Sequence, residues 1–247
     1  MVKREITVLY KQTILGFLWA VVRPLFSMIV FSVIFGGLAK IPSDGSPYPL
    51  FSYVALVPWT YFSTATTRST QSLISNANVL SKVYFPRIIL PLAPVISGMV
   101  DFFIAFSLVG LMMWYYSITP TIYILLIPYL ILIMFLTSAG LGMFLSSLAV
   151  QYRDVSFFVQ FLVQLLMYVA PVVWPVSLLS DKFDFPIRIY YGLYPMAGVI
   201  EGFRSALLGS SQMPYDLIIM GSVSATFIFI FGALYFKIKE PIFSDVL

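Results

Sequence analysis

The chain contains neither cysteine nor histidine. These absences exclude disulfides, thiol nucleophiles, imidazole general bases and zinc sites built from Cys or His ligands. Charged residues are also scarce, at 10% of 247 residues, whereas an ordinary soluble domain has about 25%. The longest stretch without a charge covers 51 residues, from Phe102 to Tyr152. Helices of a soluble domain need a polar outer face, so this stretch excludes that class of protein.

Apolar side chains take the place of the missing charges. Hydrophobic residues make up 60% of the chain, and its mean hydropathy is +0.97. A helix needs about 20 apolar residues to cross the hydrocarbon of a bilayer. The charge-free stretch is therefore long enough for two crossings, with Thr119-Pro120-Thr121 as the turn between them. These features predict an all-α integral membrane protein.

Charges and turn residues divide the sequence into six predicted transmembrane helices. Their ranges are 18–38, 50–67, 95–117, 122–149, 157–176 and 217–236. An even number of crossings places both termini on one side, and 10 of the 14 Lys and Arg residues then lie on that side. The positive-inside rule makes it the cytoplasm. We expect the first helix to be a retained span rather than a signal peptide, because Arg23-Pro24 interrupts it and no small-x-small cleavage site follows promptly.

The segment before the first span predicts an amphipathic helix over residues 3–17. Apolar side chains such as Leu9 and Ile14 fall on one side of it, and Arg4 and Lys11 fall on the other. Such a helix lies along the cytoplasmic headgroups of a membrane.

The segment between the fifth and sixth spans predicts re-entrant helices over residues 187–209. Its apolar stretches are too short to cross the membrane separately, and Glu201 and Arg204 make one straight crossing costly. A helical pair that enters from outside is allowed where protein or a wet cavity covers its backbone.

The inner loop between the second and third spans predicts a short helix over residues 76–87. Ser75 or Asn76 can cap its start, and Pro86 disfavours helical geometry at its end. Apolar residues recur inside it at helical spacing, namely Val79, Leu80, Val83 and Tyr84. Two interpretations of this helix remain open from the residues alone. It docks into a groove of a soluble partner, or its apolar side dips into lipid.

In the second inner loop, Arg153 can anchor the fourth span with Asp154 beside it.

Residues that could perform chemistry are few. The sequence has no Gly-Lys pair, so the phosphate-binding loop GxxxxGK[ST] is absent and this chain does not hydrolyse ATP. Asp101 lies inside the third span, where an acid either relays protons or pairs with an arginine. We expect it to pair near the cytoplasmic interface with Arg23, Arg68 or Arg87. Glu201 and Arg204 form a second candidate pair.

Aromatic residues are abundant, with 23 Phe, 16 Tyr and 4 Trp. Most of them fit the aromatic belts found at the two membrane interfaces. Some can instead face a transport pathway and stack on sugar rings, because they combine an apolar face with a polar tip. The candidates are Trp59, Tyr61, Trp114, Tyr115, Trp174 and Tyr194.

The small residues Ser138, Gly142 and Ser146 form a stripe that allows close approach to another span or to a second copy.

Short motifs occur in each of these segments. They are YKQTILGFLW at 10–19, PWTYF at 58–62, NANVLSKVYFPR at 76–87, Leu90-Pro91, YRDV at 152–155, Pro171-Val172-Val173, Pro195-Met196, Phe203-Arg204 and Leu207-Leu208. With them the chain resembles the permease subunit of polysaccharide-exporting ABC transporters over nearly its whole length. It departs from that family in having Tyr194 where an Asn commonly precedes the outer proline. Its N-terminal segment is also short for the family.

The resemblance implies a single transmembrane permease domain over residues 1–247 that forms a homodimer. Two separate ATPase subunits would bind ATP and Mg²⁺, while this chain has no catalytic, cofactor-binding or metal-binding residues of its own. The helix at 76–87 would be the coupling helix that docks on the ATPase, with Arg153-Asp154 as a secondary contact. The implied coupling residues are Asn76, Val79, Leu80, Lys82, Val83, Tyr84, Phe85, Arg87, Arg153 and Asp154.

The implied activity is export of a lipid-linked polysaccharide across the bacterial inner membrane, through a channel between two copies lined partly by aromatic residues. O-antigen is the first choice of polymer, followed by teichoic acid or capsular polysaccharide. We expect membrane lipid as a further partner and no nucleic acid, because the Lys and Arg residues form no dense block. The alternatives are an ion-coupled flippase that uses Asp101 and a membrane enzyme that uses Asp101 or Glu201.

Overall fold

The computed structural model describes residues 18–77, 85–178, 191–209 and 212–243, and helices with their connections account for all of them. Seven α-helices lie in these ranges: α1 Leu18–Phe31, α2 Tyr48–Ser75, α3 Ile89–Tyr115, α4 Ile127–Gln151, α5 Asp154–Val169, α6 Pro195–Leu208 and α7 Tyr215–Lys239. The prediction of an all-α protein is confirmed for this part of the chain. The predicted interfacial helix, most of the predicted coupling helix and the start of the predicted re-entrant segment lie outside the described residues.

Within the described ranges, four helical segments are long and apolar enough to cross a membrane. They are Leu18–Leu38, Ile89–Tyr115, Ile122–Gln151 and Tyr215–Lys239. The first is α1 with a π-helical continuation, and the third is α4 preceded by a 3₁₀ turn. These segments correspond to the first, third, fourth and sixth predicted spans.

Helix α2 differs from these four segments because it lies at the centre of the fold. Every residue from Leu50 to Trp59 is buried, and α2 packs against α1, α3, α4, α5 and α6. Ser and Thr residues are frequent in its second half, which lowers its apolar content. The predicted span ended near Arg68, but the helix continues to Ser75 and is followed by Asn76, whose side-chain Nδ2 donates to the Ser72 carbonyl over 2.9 Å.

Helix α5 has 16 residues and is apolar, but it is shorter than the predicted span. Ala170 leaves helical geometry, with φ −66° and ψ 146°. The next residue is Pro171, and a proline disfavours helical geometry in the residue before it. The chain then continues without helix to Val176, where the predicted span had been helical.

Small residues set the close approach of α4 to its two main neighbours. A Cβ added at Gly142 would overlap the Ser69 side chain on α2, and a Cβ added at Gly232 on α7 would overlap the Gly140 carbonyl on α4. The stripe of Ser138, Gly142 and Ser146 is buried inside the chain. The stripe therefore packs within this chain rather than against a second copy, and its Gly142 meets α2.

A separate apolar cluster closes the end of the molecule that carries the two inner loops. Its buried members are Leu73, Leu90, Met143, Val150, Phe236 and Phe243. They come from α2, α3, α4, α7 and the residue that follows the final 3₁₀ turn Glu240–Ile242. Because the two inner loops begin next to Leu73 and Val150, this cluster holds their starting points together.

Candidate functional site

Arg204 on α6 is the centre of a buried charged cluster at the opposite end of the molecule. Its side chain is 1% exposed. Nε donates to the Phe51 carbonyl on α2 over 3.3 Å, and Nη2 donates to the Val172 carbonyl over 2.8 Å. Nη1 donates to the Trp174 carbonyl over 3.3 Å, and the guanidinium carbon lies 3.5 Å from the centre of the Phe51 ring. One side chain of α6 thus binds two separate parts of the chain, the start of α2 and the segment that follows α5.

Glu201 lies one helical turn before Arg204 and completes the cluster. Its Oε1 accepts a hydrogen bond from Arg204 Nη1 over 3.0 Å and another from the Val176 backbone N–H over 3.1 Å. Burial raises the pKa of the Glu201 carboxyl above its ordinary value, and the adjacent Arg204 guanidinium opposes that rise. The structure therefore pairs the two charges of the outer segment with each other, and both are buried.

The other two candidate charges, Arg23 and Asp101, lie on α1 and α3. Arg23 is exposed on α1, and its guanidinium lies 5.8 Å from the centre of the Trp19 ring. Asp101 is half-buried on α3. Its pairing with Arg23, Arg68 or Arg87 stays a prediction.

Two of the six candidate pathway aromatics lie in the core of a single copy. Trp59 is 3% exposed and packs against Phe62. Tyr61 is 4% exposed, and its hydroxyl donates to the Val95 carbonyl on α3 over 3.0 Å. A passing ligand reaches these two side chains only if α2 moves relative to its neighbours.

The remaining four aromatics lie nearer to the surface. Trp114 and Tyr115, at the end of α3, are 83% and 77% exposed. Trp174 is half-buried beside Tyr191, and its Nε1 donates to the Tyr168 carbonyl over 3.2 Å. The hydroxyl of Tyr194 is buried and has no hydrogen-bond partner among the residues that the structure describes.

Half of the predicted coupling residues can be placed in the structure. Val79, Leu80, Lys82, Val83 and Tyr84 fall within residues 78–84, which lie outside the described ranges. Asn76 directly follows α2, and Phe85 packs on the apolar cluster at the inner loops. Arg153 and Asp154 are exposed at the start of α5, where an acidic side chain favours the helix dipole.

Arg87 has a contact that the sequence did not reveal. Its Nη1 donates to the backbone carbonyl of Glu240 over 2.5 Å. Helix ends leave backbone carbonyls without partners inside the helix, and an arginine side chain is well suited to supply one. Arg87 thereby joins the end of the predicted coupling segment to the end of α7.

The backbone partners of Arg204 were not predicted either, although its pairing with Glu201 was. The sequence marks Arg204 and Glu201 because charges are rare in this chain. The acceptors on Phe51, Val172 and Trp174 are backbone carbonyls. Every residue carries a carbonyl, so no residue type indicates which of them an arginine binds.

The sequence is similar to known membrane transporters, in agreement with the apolar helices of the structure. Residues 1–208 match the family described as ABC-2 type transporter. An O-antigen export system permease protein, RfbA, from Myxococcus xanthus is 26% identical over 244 residues, which cover 97% of this chain and 91% of the relative. Two proteins of the same name from Klebsiella pneumoniae are each 24% identical over 245 residues, covering 99% of this chain and 92% of each relative.

Proposed function

The chain belongs to the ABC-2 type transporter family, and we propose that it is the transmembrane permease subunit of an ATP-driven exporter of a lipid-linked polysaccharide. The observation that carries the proposal is its similarity, along nearly the full length of both chains, to permease proteins named for O-antigen export. O-antigen is accordingly the polymer we propose first. Teichoic acid and capsular polysaccharide are the alternatives for the same mechanism.

In this proposal the chain itself is not an enzyme. Two separate ATPase subunits bind ATP and Mg²⁺, and two copies of this chain form the channel. The absence of any Gly-Lys pair, and therefore of a GxxxxGK[ST] loop, supports this division of labour. The apolar helices embed the chain in a membrane. We place it in the bacterial inner membrane with both termini in the cytoplasm, as the distribution of Lys and Arg favours.

We propose six crossings, with α2 and α5 added to the four long apolar segments. At 1.5 Å per residue, the 28 residues of α2 extend about 42 Å, which exceeds a hydrocarbon core of about 30 Å. Helix α2 can span with fewer apolar residues because the chain's own helices surround much of it. The 16 residues of α5 extend only about 24 Å, so residues 170–176 would complete that crossing.

The ATPase would dock at the end of the molecule that carries the two inner loops. The coupling helix at 76–87 is the main contact, and the exposed Arg153 and Asp154 form a second one. Support comes from the apolar cluster, in which Leu73 and Val150 lie next to the starts of the two loops. A docked subunit could therefore contact both loops at the same time.

Polysaccharide would pass between the two copies of the chain. The exposed Trp114 and Tyr115, together with Trp174, offer ring faces of the kind that stack on sugars. Trp59 and Tyr61 would join them only in a conformation in which α2 has moved.

The test is export by a purified complex in proteoliposomes. The chain is reconstituted with its ATPase partner, and the transfer of lipid-linked O-antigen across the bilayer is measured with and without ATP. Parallel samples contain lipid-linked teichoic acid or capsular polymer, which ranks the three substrates. We expect export only when both the ATPase and ATP are present.

Two controls separate this function from its rivals. The chain alone, supplied with an ion gradient, should move no polymer. Asp101→Asn should leave ATP-driven export in place, since an ion-coupled flippase would lose all transport on that change. Transport by the chain alone, or chemical turnover of a lipid-linked sugar by it, would contradict the proposal.

A further inference from the structure

We propose that Arg204 is a positioning residue that ties the outer end of α2 to α6, so that a movement of α2 begun at the coupling loop reaches the outer segment. This inference rests on the proposed transport function. It assigns the buried charged cluster a role in coupling ATP hydrolysis to export, as distinct from holding the fold together.

The first support is the course of α2. This helix runs without interruption from Tyr48 to Ser75, so one of its ends carries Phe51 and the other leads into the coupling loop. Pro58 lies inside it, and the helix continues through that position between the buried Val57 and Trp59. A displacement at the coupling loop is therefore carried along α2 to the charged cluster.

The second support is the number of parts that meet at Arg204. The guanidinium donates to α2 at Phe51, and to the segment after α5 at Val172 and Trp174. Glu201 strengthens the second link by accepting from the Val176 backbone N–H. The start of α2, the segment 172–176 and α6 thus share one hydrogen-bonded junction.

Further hydrogen bonds close the same junction from other directions. The Tyr48 hydroxyl, at the start of α2, donates to the Val173 carbonyl over 2.7 Å. The Tyr191 hydroxyl, just before α6, donates to the Val169 carbonyl at the end of α5 over 3.0 Å. These bonds leave little freedom for α6 to move separately from the start of α2.

The third support is the chemistry chosen for this position. Removing two charges from water is costly, and well-packed apolar residues of similar volume often stabilise a protein as well or better. Stability alone therefore does not favour a buried Arg–Glu pair here. Unlike an apolar side chain, a guanidinium fixes the orientation of the groups around it, because its donors lie in one plane and bind their acceptors in one arrangement. That property suits a rigid link between moving parts.

The inner half of α2 meets α4 in a different way. Thr70 donates to the Thr66 carbonyl on α2, whereas Ser138 and Ser147 donate to the Met134 and Met143 carbonyls on α4. Each of these bonds stays within the helix that carries it. They therefore survive a small sliding of α2 along α4, which is the kind of motion seen in shear movements of packed helices.

The decisive variant replaces both charges, as Glu201→Met with Arg204→Met, so that no unpaired charge remains in the core. The matched control is Phe203→Leu, which disturbs the packing of the same buried helix and leaves the charged cluster intact. Both are assembled with the ATPase in proteoliposomes. The quantity measured is polymer exported per ATP hydrolysed.

We expect the double variant to hydrolyse ATP at nearly the wild-type rate while exporting at least about fivefold less polymer per ATP, the low end of typical coupling between sites. Phe203→Leu should keep the wild-type ratio even if less of the protein folds. An unchanged ratio in the double variant, with the wild type exporting normally, would overturn this inference and leave the proposed function intact. Failure of the wild-type complex to export would instead overturn the proposed function.

A second measurement observes the movement directly. Because the chain has no cysteine, Leu193→Cys provides a single attachment site for a fluorescent label on an exposed position just before α6. Binding of a non-hydrolysable ATP analogue to the complex should change the fluorescence of the label in the otherwise wild-type chain. The same label on the double variant should not respond. An equal response in both would contradict a link through Arg204.

Discussion

At the scale of single residues, the buried pair makes opposite predictions for one substitution and for two. Arg204→Met alone leaves Glu201 buried without its partner, which should lower the free energy of unfolding by about 3–5 kcal/mol. Adding Glu201→Met should restore most of that loss. Thermal unfolding of the two variants and the wild type in one detergent compares the three stabilities. A double variant no more stable than the single one would show that the pair is not the source of the effect.

Gly142 permits a second prediction at this scale. A methyl group there would overlap the Ser69 side chain on α2, so Gly142→Ala should destabilise the chain by about 1–3 kcal/mol through overpacking. Ser69→Gly in the same chain should recover part of the loss, because it removes the atoms that the new methyl group meets. By itself, Ser69→Gly lowers the stability of the chain, because it removes the hydrogen bond that the Ser69 hydroxyl donates to the Pro91 carbonyl over 2.6 Å. The same unfolding measurement checks both changes, and additive losses would contradict direct contact.

At the scale of elements, the coupling segment can be tested through its two basic residues. Lys82→Glu combined with Arg87→Glu reverses two charges, and we expect it to reduce the ATPase that co-purifies with the chain by about tenfold or more. Arg87 also holds the end of α7 through the Glu240 carbonyl, so the double change disturbs more than docking.

The variant Arg87→Gln separates the two effects. It removes the charged donor to Glu240 without placing a negative charge in the coupling segment. Hydrogen exchange of residues 236–243 should become faster in this variant, since the end of α7 loses a tether. If the variant with both Lys82→Glu and Arg87→Glu still co-purified with a normal amount of ATPase, that result would contradict the docking assignment.

The elements also show which parts of the fold could be predicted from the sequence. The four long apolar segments are found by counting charges, because lipid on their exposed sides demands an apolar composition. The end of α2 could not be found in this way, since Arg68 lies inside the helix rather than at its boundary. The early end of α5 could have been predicted, because Pro171 marks it.

The candidate site divides along similar lines. Charge scarcity alone points to Glu201 and Arg204, and their spacing of three residues on a helix allows the pair. The burial of Trp59 and Tyr61 was not predictable, because interfacial, core and pathway aromatics share the same residue types. Their positions follow from the packing of α2 against five other helices, which no local pattern records.

At the scale of the whole molecule, the short α5 predicts a dependence on membrane thickness. Its helical part extends about 24 Å, whereas a typical hydrocarbon core is about 30 Å thick. Residues 170–176, which would complete this crossing, are not helical, so a thick bilayer would have to thin around them rather than cover their backbone with lipid. Such thinning costs fractions of a kcal/mol per Å of mismatch. ATP-driven export should therefore be about two- to fivefold faster in short-chain than in long-chain phosphatidylcholine, given that per-Å cost.

The control for this prediction is the isolated ATPase subunit in the same lipids. Its rate of ATP hydrolysis should not vary with acyl-chain length, because it has no need to span the bilayer. Export that is equal or faster in the thicker membrane would contradict a strained α5 crossing.

The contact between Gly140 and Gly232 has a consequence for how this protein can vary genetically. The backbones of α4 and α7 touch there, and a Cβ at either position would overlap main-chain atoms of the other helix. Every single-base change of a glycine codon that alters the amino acid introduces a side chain. Unless it creates a stop codon, a point mutation at these two codons is therefore either silent or pushes two helices apart, with no milder missense step between.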